Sequence, residues 1–387
     1  MSERRSTPAD PPRVALFLAG RDPEHPTAGG GDAQAWVWAR WCHEHGYRVV
    51  YLCQSHPELA DTTELDGIEV HRIGSLVTLP IRAAAWYRRN RDHIDLVYDD
   101  PIGAGRVPFL SPLFARTARI AVWHQVTAPL FRELYPRPVA AVLAVVERLV
   151  ARLYRTTHMW VPSEERRDEL ADALGFHLDR LHVISPTIPD ARLDRGVDVG
   201  GRDPVVTFLG VLRPYKGIED LVLAMEAATR ACPEARLVIA GRSPDDTYLA
   251  SLQRLVESHP GANAEIRVGL SDDEKWALLR SSRLLALPSS LEGFGIVTLE
   301  ANAVGVPVVA SSGVPMAAVE DGVNGYRFPY GDRVALADRI VSILQSDDYP
   351  AMCAASLAHV DDFTESRGAE RMRALVARVR DDATVDA

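Results

Sequence analysis

Short runs of aliphatic and β-branched residues alternate with amphipathic segments of helical period along almost the whole chain. In the first half the runs RVALFLAG (13–20), YRVVYLC (47–53), IEVHRIG (68–74), DLVYDD (95–100), RIAVWH (119–124), HMWVPS (158–163) and LHVIS (181–185) read as strands. The second half repeats the plan with PVVTFLG (204–210), ARLVIAG (235–241), EIRVGL (265–270), RLLALPS (283–289) and VPVVAS (306–311). Apolar strands separated by segments of helical length predict βαβ units and parallel sheets. So many strands overfill one doubly wound sheet, and the Pro-, Gly- and Asp-rich stretch SPTIPDARLDRGVDVGGRDP, with no period, interrupts them midway. A single barrel of eight βα units also alternates strand and helix, but the polar break argues against it.

The pattern therefore predicts an α/β protein of two Rossmann-like doubly wound parallel-sheet domains facing across a cleft. The expected boundaries are a loose tail over 1–12, a first domain over 13–186, a linker over 187–203 and a second domain over 204–346. Helices over 347–387 are expected to pack back toward the first domain. In such sheets ligands bind beyond the carboxyl ends of the strands.

Composition narrows this picture only a little. Of the 387 residues, 47% are hydrophobic and 25% charged, as in ordinary globular chains, and the net charge of −10 makes a nucleic-acid partner unexpected. Lysine is almost absent, with Lys216 and Lys275 the only two, so Lys216 is not one surface lysine among many. Cys42, Cys53, Cys232 and Cys353 form no CxxC pair, which fits a reduced, cytoplasmic chain. The polar, Pro-rich start reads as a tail and not as a signal peptide, and the longest apolar run near Val139–Val146 is stopped by Glu147 and Arg148. Around it, Pro138 to Arg155 is apolar on one face, with Arg148, Arg152 and Arg155 on the other. It reads as an ordinary domain helix in preference to one lying on an anionic membrane, so peripheral membrane contact is possible but not favoured.

Three constellations carry chemistry. Gly29-Gly30-Gly31-Asp32 follows the first strand, with Asp32 expected to cap a helix beginning at Ala33. Consecutive glycines and a helix start suit an anion. Gly210-Val-Leu-Arg213-Pro-Tyr-Lys216-Gly217 lies between a strand and a helix, and a guanidinium and an ammonium three residues apart suit a diphosphate. In Pro288-Ser-Ser-Leu-Glu292-Gly-Phe294-Gly295-Ile296-Val-Thr-Leu-Glu300, a strand ends, a loop carries Glu292 and a helix begins near Gly295. The amides of Phe294, Gly295 and Ile296 are then helix-start donors for phosphate or sugar oxygens. Two glutamates beside such a start are poor phosphate ligands but good acceptors for sugar and ribose hydroxyls.

With these motifs in this order over nearly the whole chain, the sequence resembles a retaining nucleotide-sugar glycosyltransferase of the GT4 family, with the GT-B fold. The resemblance implies that Arg213 and Lys216 bind the donor diphosphate, Glu300 the ribose and Glu292 the transferred sugar. It places Gly241-Arg242 and Leu270 in the nucleoside pocket, and His124, in WHQVTAPLF upstream of Glu133 and Glu147, beside the transferred sugar. It further implies that the donor is a UDP- or GDP-sugar, that the acceptor is a hydroxyl of a glycan, lipid-linked or small natural product, and that neither cofactor nor metal is needed. Where family members often carry Asn-Gly, Pro186 is here followed by Thr187, Ile188 and Pro189.

Asp99-Asp100, Asp245-Asp246 and Asp272-Asp273 are weaker candidates. The last reads as a helix start after Ser271, the middle pair as part of a turn, and the first, ending a strand, as a lesser candidate for facing the acceptor. Trp38 and Trp41 read as core, whereas Trp36 and Trp38 cannot share one helix face. Rival readings are a sugar-nucleotide 2-epimerase of the same fold, a non-catalytic nucleotide-sugar-binding subunit, and a pyridoxal-phosphate phosphorylase, for which Lys216 is already assigned.

Overall fold

The computed structural model describes residues 13–102, 107–196 and 202–385. The expected tail over 1–12, and residues 197–201 of the expected linker, lie outside the described residues.

Eight strands form the first sheet: β1 (Arg13–Leu18), β2 (Tyr47–Cys53), β3 (Thr62–Leu65), β4 (Ile68–Arg72), β5 (Leu96–Asp99), β6 (Ala118–Val122), β7 (His158–Val161) and β8 (Leu181–Val183). Their order is β3-β4-β2-β1-β5-β6-β7-β8. Helices α1 (Gly30–Glu44), α2 (Leu79–Asn90), α3 (Ala128–Leu134), α4 (Arg137–Leu153) and α5 (Glu164–Leu174) intervene. The second sheet holds β9 (Val205–Val211), β10 (Arg236–Arg242), β11 (Ala264–Val268), β12 (Leu284–Leu287), β13 (Val308–Ser311) and β14 (Gly325–Phe328), in the order β11-β10-β9-β12-β13-β14. Its helices are α6 (Ile218–Ala231), α7 (Asp246–Ser258), α8 (Asp272–Ser281), α9 (Ile296–Ala303) and α10 (Arg333–Leu344), followed by α11 (Tyr349–His359) and α12 (Glu365–Val385). Only β3, running against β4, departs from parallel pairing among the described ladders. Two doubly wound, parallel α/β sheets are thus present, as the alternation of apolar runs predicts.

Winding reverses once in each sheet, between β1 and β5 and between β9 and β12. At such a switch point neighbouring connections leave in opposite directions and open a crevice at the carboxyl ends of the strands. The glycine motif follows β1, and the other two motifs follow β9 and β12.

Two strands escaped the sequence pattern, both at sheet edges. β3 is Thr-Thr-Glu-Leu, partly exposed throughout, and β14 is Gly-Tyr-Arg-Phe, buried only at its ends. Neither contains an apolar run, because an edge strand needs to bury little.

The chain divides into two compact units. One comprises the described residues up to Trp123 with Leu149–Trp160 and the segment from Arg373; the other comprises His124–Arg148 and Val161–Met372. The core of the first includes Leu16, Leu18, Val50, Leu52, Val97 and Phe109. That of the second gathers Val206, Phe208, Leu237, Ile239, Leu285 and Val309 from its central strands. Within the second unit the described part of the Pro/Gly-rich stretch is pinned. Ile188 is buried and its N–H donates to Phe363 O at 2.8 Å, and the buried Arg202 donates to Gly305 O at 2.7 Å.

Local chemistry accounts for the helix starts. Ser271 Oγ accepts from Glu274 N–H at 3.3 Å while Glu274 accepts from Ser271 N–H at 2.8 Å, a capping box at the expected start of α8. The expectation for α1 needs correcting: it begins at Gly30, not Ala33. Asp32 is its third residue and reaches back to accept from Gly29 N–H at 2.8 Å and Arg21 N–H at 3.1 Å. Trp36, Trp38 and Trp41 are all buried, Trp36 with its indole N–H on Asp66 at 3.2 Å. Two faces of α1 are therefore covered, where the sequence suggested one. On α4, by contrast, large apolar residues face solvent.

Candidate functional site

β9 and β12 are neighbours on either side of the switch point, and the loops that leave them are joined through the backbone. After β9 the chain makes a 3₁₀ turn at Pro214–Lys216 and passes to α6 through Gly217 at φ 66°. A Cβ at Gly217 would lie 2.3 Å from Pro288 O, so only glycine permits both the left-handed turn and the approach of the second loop. Ser290 N–H donates to Tyr215 O at 2.8 Å, and Glu292 N–H to Gly313 O at 3.0 Å.

These constraints put Lys216 and Glu292 together. Lys216 Nζ donates to Glu292 Oε1 at 2.5 Å, both side chains being 12% exposed, and Ser289 Oγ donates to the same oxygen at 2.7 Å. Burial by itself would depress the Lys216 ammonium, but the Glu292 carboxylate, with Tyr215 beside it, holds it above the ordinary lysine range. The sequence assigned the two side chains to different parts of a ligand; in the fold they are also partners of each other. Arg213 is partly exposed and forms no salt bridge among the described residues.

Glu300, on α9, is held the same way by the other lysine of the chain. Lys275 Nζ lies 2.9 Å from Glu300 Oε1 and 2.8 Å from Asp272 Oδ1, and 5.2 Å from the centroid of the Trp276 ring. Burial opposes the charge on Lys275, and Glu300 and Asp272 together raise it above the ordinary range. Sequence reasoning missed Lys275 as a site residue. Its scarcity was the available signal: both lysines of the chain hold a motif glutamate.

Gly295, at φ 90°, precedes α9, whose first-turn amides therefore emerge at the loop carrying Glu292. Ile296 opens the helix, and the Phe294 ring is buried 5.5 Å from Phe363, so any ligand contact from Phe294 is through its backbone. His124 is half-buried and belongs to the same unit. A Cβ at Gly293 would lie 3.3 Å from its Cβ, which brings His124 against the glutamate loop. Downstream, Ser290 Oγ donates to Glu133 at 2.9 Å. Glu147 accepts from the Thr127 and Ala128 amides at 2.6 and 2.9 Å, and burial holds its carboxyl above the usual range despite those bonds. Glu147 thus caps α3.

The nucleoside-pocket expectation changes in detail. Gly241 and Arg242 are the last residues of β10, not a loop after it, and Leu212 N–H bonds to Arg242 O at 2.8 Å. Leu270 follows β11, partly buried against the second core. Gly29, Gly30 and Gly31 stand at the start of α1 in the first unit, with Gly29 extended.

The three aspartate pairs are occupied otherwise. Asp99 is fully buried and accepts from Tyr154 O–H at 2.5 Å, and Asp100 is buried beside it, so the expectation that they face an acceptor is not met. Asp245 caps α7 through the Thr247 and Tyr248 amides, at 2.9 and 3.2 Å. Asp272 opens α8 and bonds Lys275.

Two parallel α/β sheets with motif loops at their switch points define the GT-B class. The solved structures agree: sucrose-phosphate synthase from Thermosynechococcus elongatus superposes with a TM-score of 0.76 at 19% identity, covering 95% of this chain and 99% of that one. HepE of Anabaena, in complex with UDP-glucose, does so with a TM-score of 0.74 at 17% identity, covering 94% and 99%. Residues 192–357 match the model described as glycosyl transferases group 1. The chain is also 30% identical over 202 residues to a D-inositol 3-phosphate glycosyltransferase of Corynebacterium efficiens, covering 47% of each chain. At about this identity the chain spans about half the length of the curated relatives it matches.

Because Lys275 touches Glu300 and not the Arg213–Lys216 turn, its loss should separate binding from chemistry. On the expectation that Glu300 holds the donor ribose, Lys275→Met should raise the donor KM about tenfold while leaving kcat within about twofold, as for lost uniform binding. Steady-state kinetics with varied nucleotide sugar measure this, and an equal fall in kcat would contradict it.

Proposed function

We propose that this chain is a metal-independent, retaining glycosyltransferase of the GT4 type that moves a sugar from a nucleoside diphosphate donor, a UDP- or GDP-sugar, to a hydroxyl acceptor. The observation that carries the reading is the Lys216–Glu292 pair at the β9/β12 switch point, with Arg213 on the same turn and the start of α9 behind it. A cation, a guanidinium and helix-start amides suit a pyrophosphate, and carboxylates alongside suit sugar hydroxyls.

In this reading the bond from the anomeric carbon to the diphosphate oxygen breaks, and negative charge grows on the leaving nucleoside diphosphate. Arg213, Lys216 and the amides of Phe294, Gly295 and Ile296 stabilise that charge without reorganisation. Lys216 turns from Glu292 toward phosphate, which frees Glu292 for the hydroxyls of the transferred sugar. Glu300, held by Lys275, takes the ribose hydroxyls. Gly241, Arg242 and Leu270 line the nucleoside side, and His124 contacts a distal sugar hydroxyl. The acceptor hydroxyl attacks the face the leaving group departs from and gives its proton to the β-phosphate. In the first unit, Gly29, Gly30 and Gly31 offer an anion the start of α1. The acceptor is a glycan, lipid-linked or small natural-product hydroxyl, and the reaction is cytoplasmic.

A thermal-shift screen of UDP-, GDP- and dTDP-sugars tests the donor. A ligand at about 100 times its Kd that binds only the folded state stabilises it by about 2.7 kcal/mol, and one base is expected to stand out. No shift with any of the three would remove the reading.

A further inference from the structure

The face of α4 turned to solvent is built for an interface of a particular chemistry. Val139, Val142, Val146, Leu149 and Leu153 recur at steps of three and four residues and so form one stripe, with Val145 at its margin. All are exposed, Val142 at 62% and Leu149 at 60%. The opposite side of the helix, with Ala140, Glu147, Val150 and Ala151, is buried. An ordinary domain helix turns its apolar stripe inward; α4 has an inner face and a second, outer one.

Charge decides what the outer face meets. By helical period Arg148 and Arg152 fall in one row between the stripe and the buried face, with Arg137 three turns before; Arg155 follows two residues past the helix end, and all four are exposed. Between Arg132 and Arg155 the only carboxylates are Glu133 and Glu147, the first bonded to Ser290 and the second buried. This positive strip belongs to a chain of net charge −10, so an anionic surface attracts the strip and repels the remainder, which orients the molecule. Among the described residues no helix is long and apolar enough to cross a membrane.

We propose that α4 lies in the plane of an anionic membrane surface, its Val/Leu stripe among the acyl chains and its arginine row on lipid phosphates. A narrow convex stripe edged by guanidinium groups suits a lipid interface, whereas a protein interface of stable size needs a broader surface. The inference is independent of the transferase reading.

Flotation of the full chain with vesicles tests it. The protein should rise with phosphatidylglycerol/phosphatidylcholine vesicles and not with phosphatidylcholine alone, and salt should weaken the binding. The Val142→Glu/Leu149→Glu variant should lose more than about tenfold in vesicle affinity. Arg148→Ser/Arg152→Ser should lose about fivefold per arginine, with thermal unfolding unchanged because these side chains are exposed. Failure to float with anionic vesicles, equal flotation on both compositions, or unchanged binding by the arginine variant would overturn the proposal. So would light scattering showing a wild-type dimer that the glutamate variant splits, since a second copy would then cover the stripe.

Discussion

Lys216→Met is expected to lower turnover of a nucleotide sugar about a hundredfold, the scale on which a single preorganised charge stabiliser acts. The same change leaves Glu292 without its cation at a site where both groups are 12% exposed, and breaking a buried pair in this way costs about 3 kcal/mol. The two effects can be parted. In Lys216→Met/Glu292→Gln no uncompensated charge remains, so stability should return close to wild type, whereas turnover should not, because the cation proposed for the diphosphate is still missing. Chemical denaturation and kcat on the two variants measure both quantities. Recovery of turnover in the double variant would mean that Lys216 serves only to neutralise Glu292.

The pH dependence gives a second check on the same pair. Lys216 is raised above the ordinary value of 10.5 in the folded chain, so its stabilisation is fully present below that value and is lost as pH climbs through the raised one. The stability gap between wild type and Lys216→Met should therefore be constant at neutral pH and narrow only above about pH 10.5.

What the sequence disclosed and what it withheld divide along physical lines. Strands buried on both faces must be apolar throughout, so β1, β2, β9, β10, β12 and β13 stood out as runs, and their spacing implied two parallel sheets. Edge strands β3 and β14 carry no such demand and left no trace. Motif loops were legible because glycine and paired charges are rare in combination. The partnership of Lys216 with Glu292, and of Lys275 with Glu300, was not, since each joins positions on separate loops or helices through a fold that spacing cannot reveal. The aspartate pairs misled for the converse reason. Asp99 is committed to Tyr154 and Asp245 to the start of α7, and a local role of this kind looks the same in sequence as a functional one. On α4 the period was legible but not its direction, because a two-faced helix has the same repeat whether its stripe meets core or solvent.

Gly241→Ala should be the most damaging single-methyl change in the second unit, and its effect should fall on folding and not on donor affinity. Gly241 sits within β10 at φ 156°, paired with Gly210 of β9, and a Cβ built there would lie 1.6 Å from Gly210 O. That contact is with backbone in the middle of a sheet, so no side chain can swing away. β10 would have to leave the register that also supports β11 on its far side. A loss of about 4 kcal/mol or more is expected, in the range reserved for strained backbone and broken packing. Urea denaturation and the yield of folded protein measure it. If Gly241→Ala instead folded normally and raised only the donor KM, the backbone at Gly241 would be pliable, and the residue would matter only as part of the nucleoside lining. The close pairing of β9 and β10, which aims the Arg213–Lys216 turn, would then need another explanation.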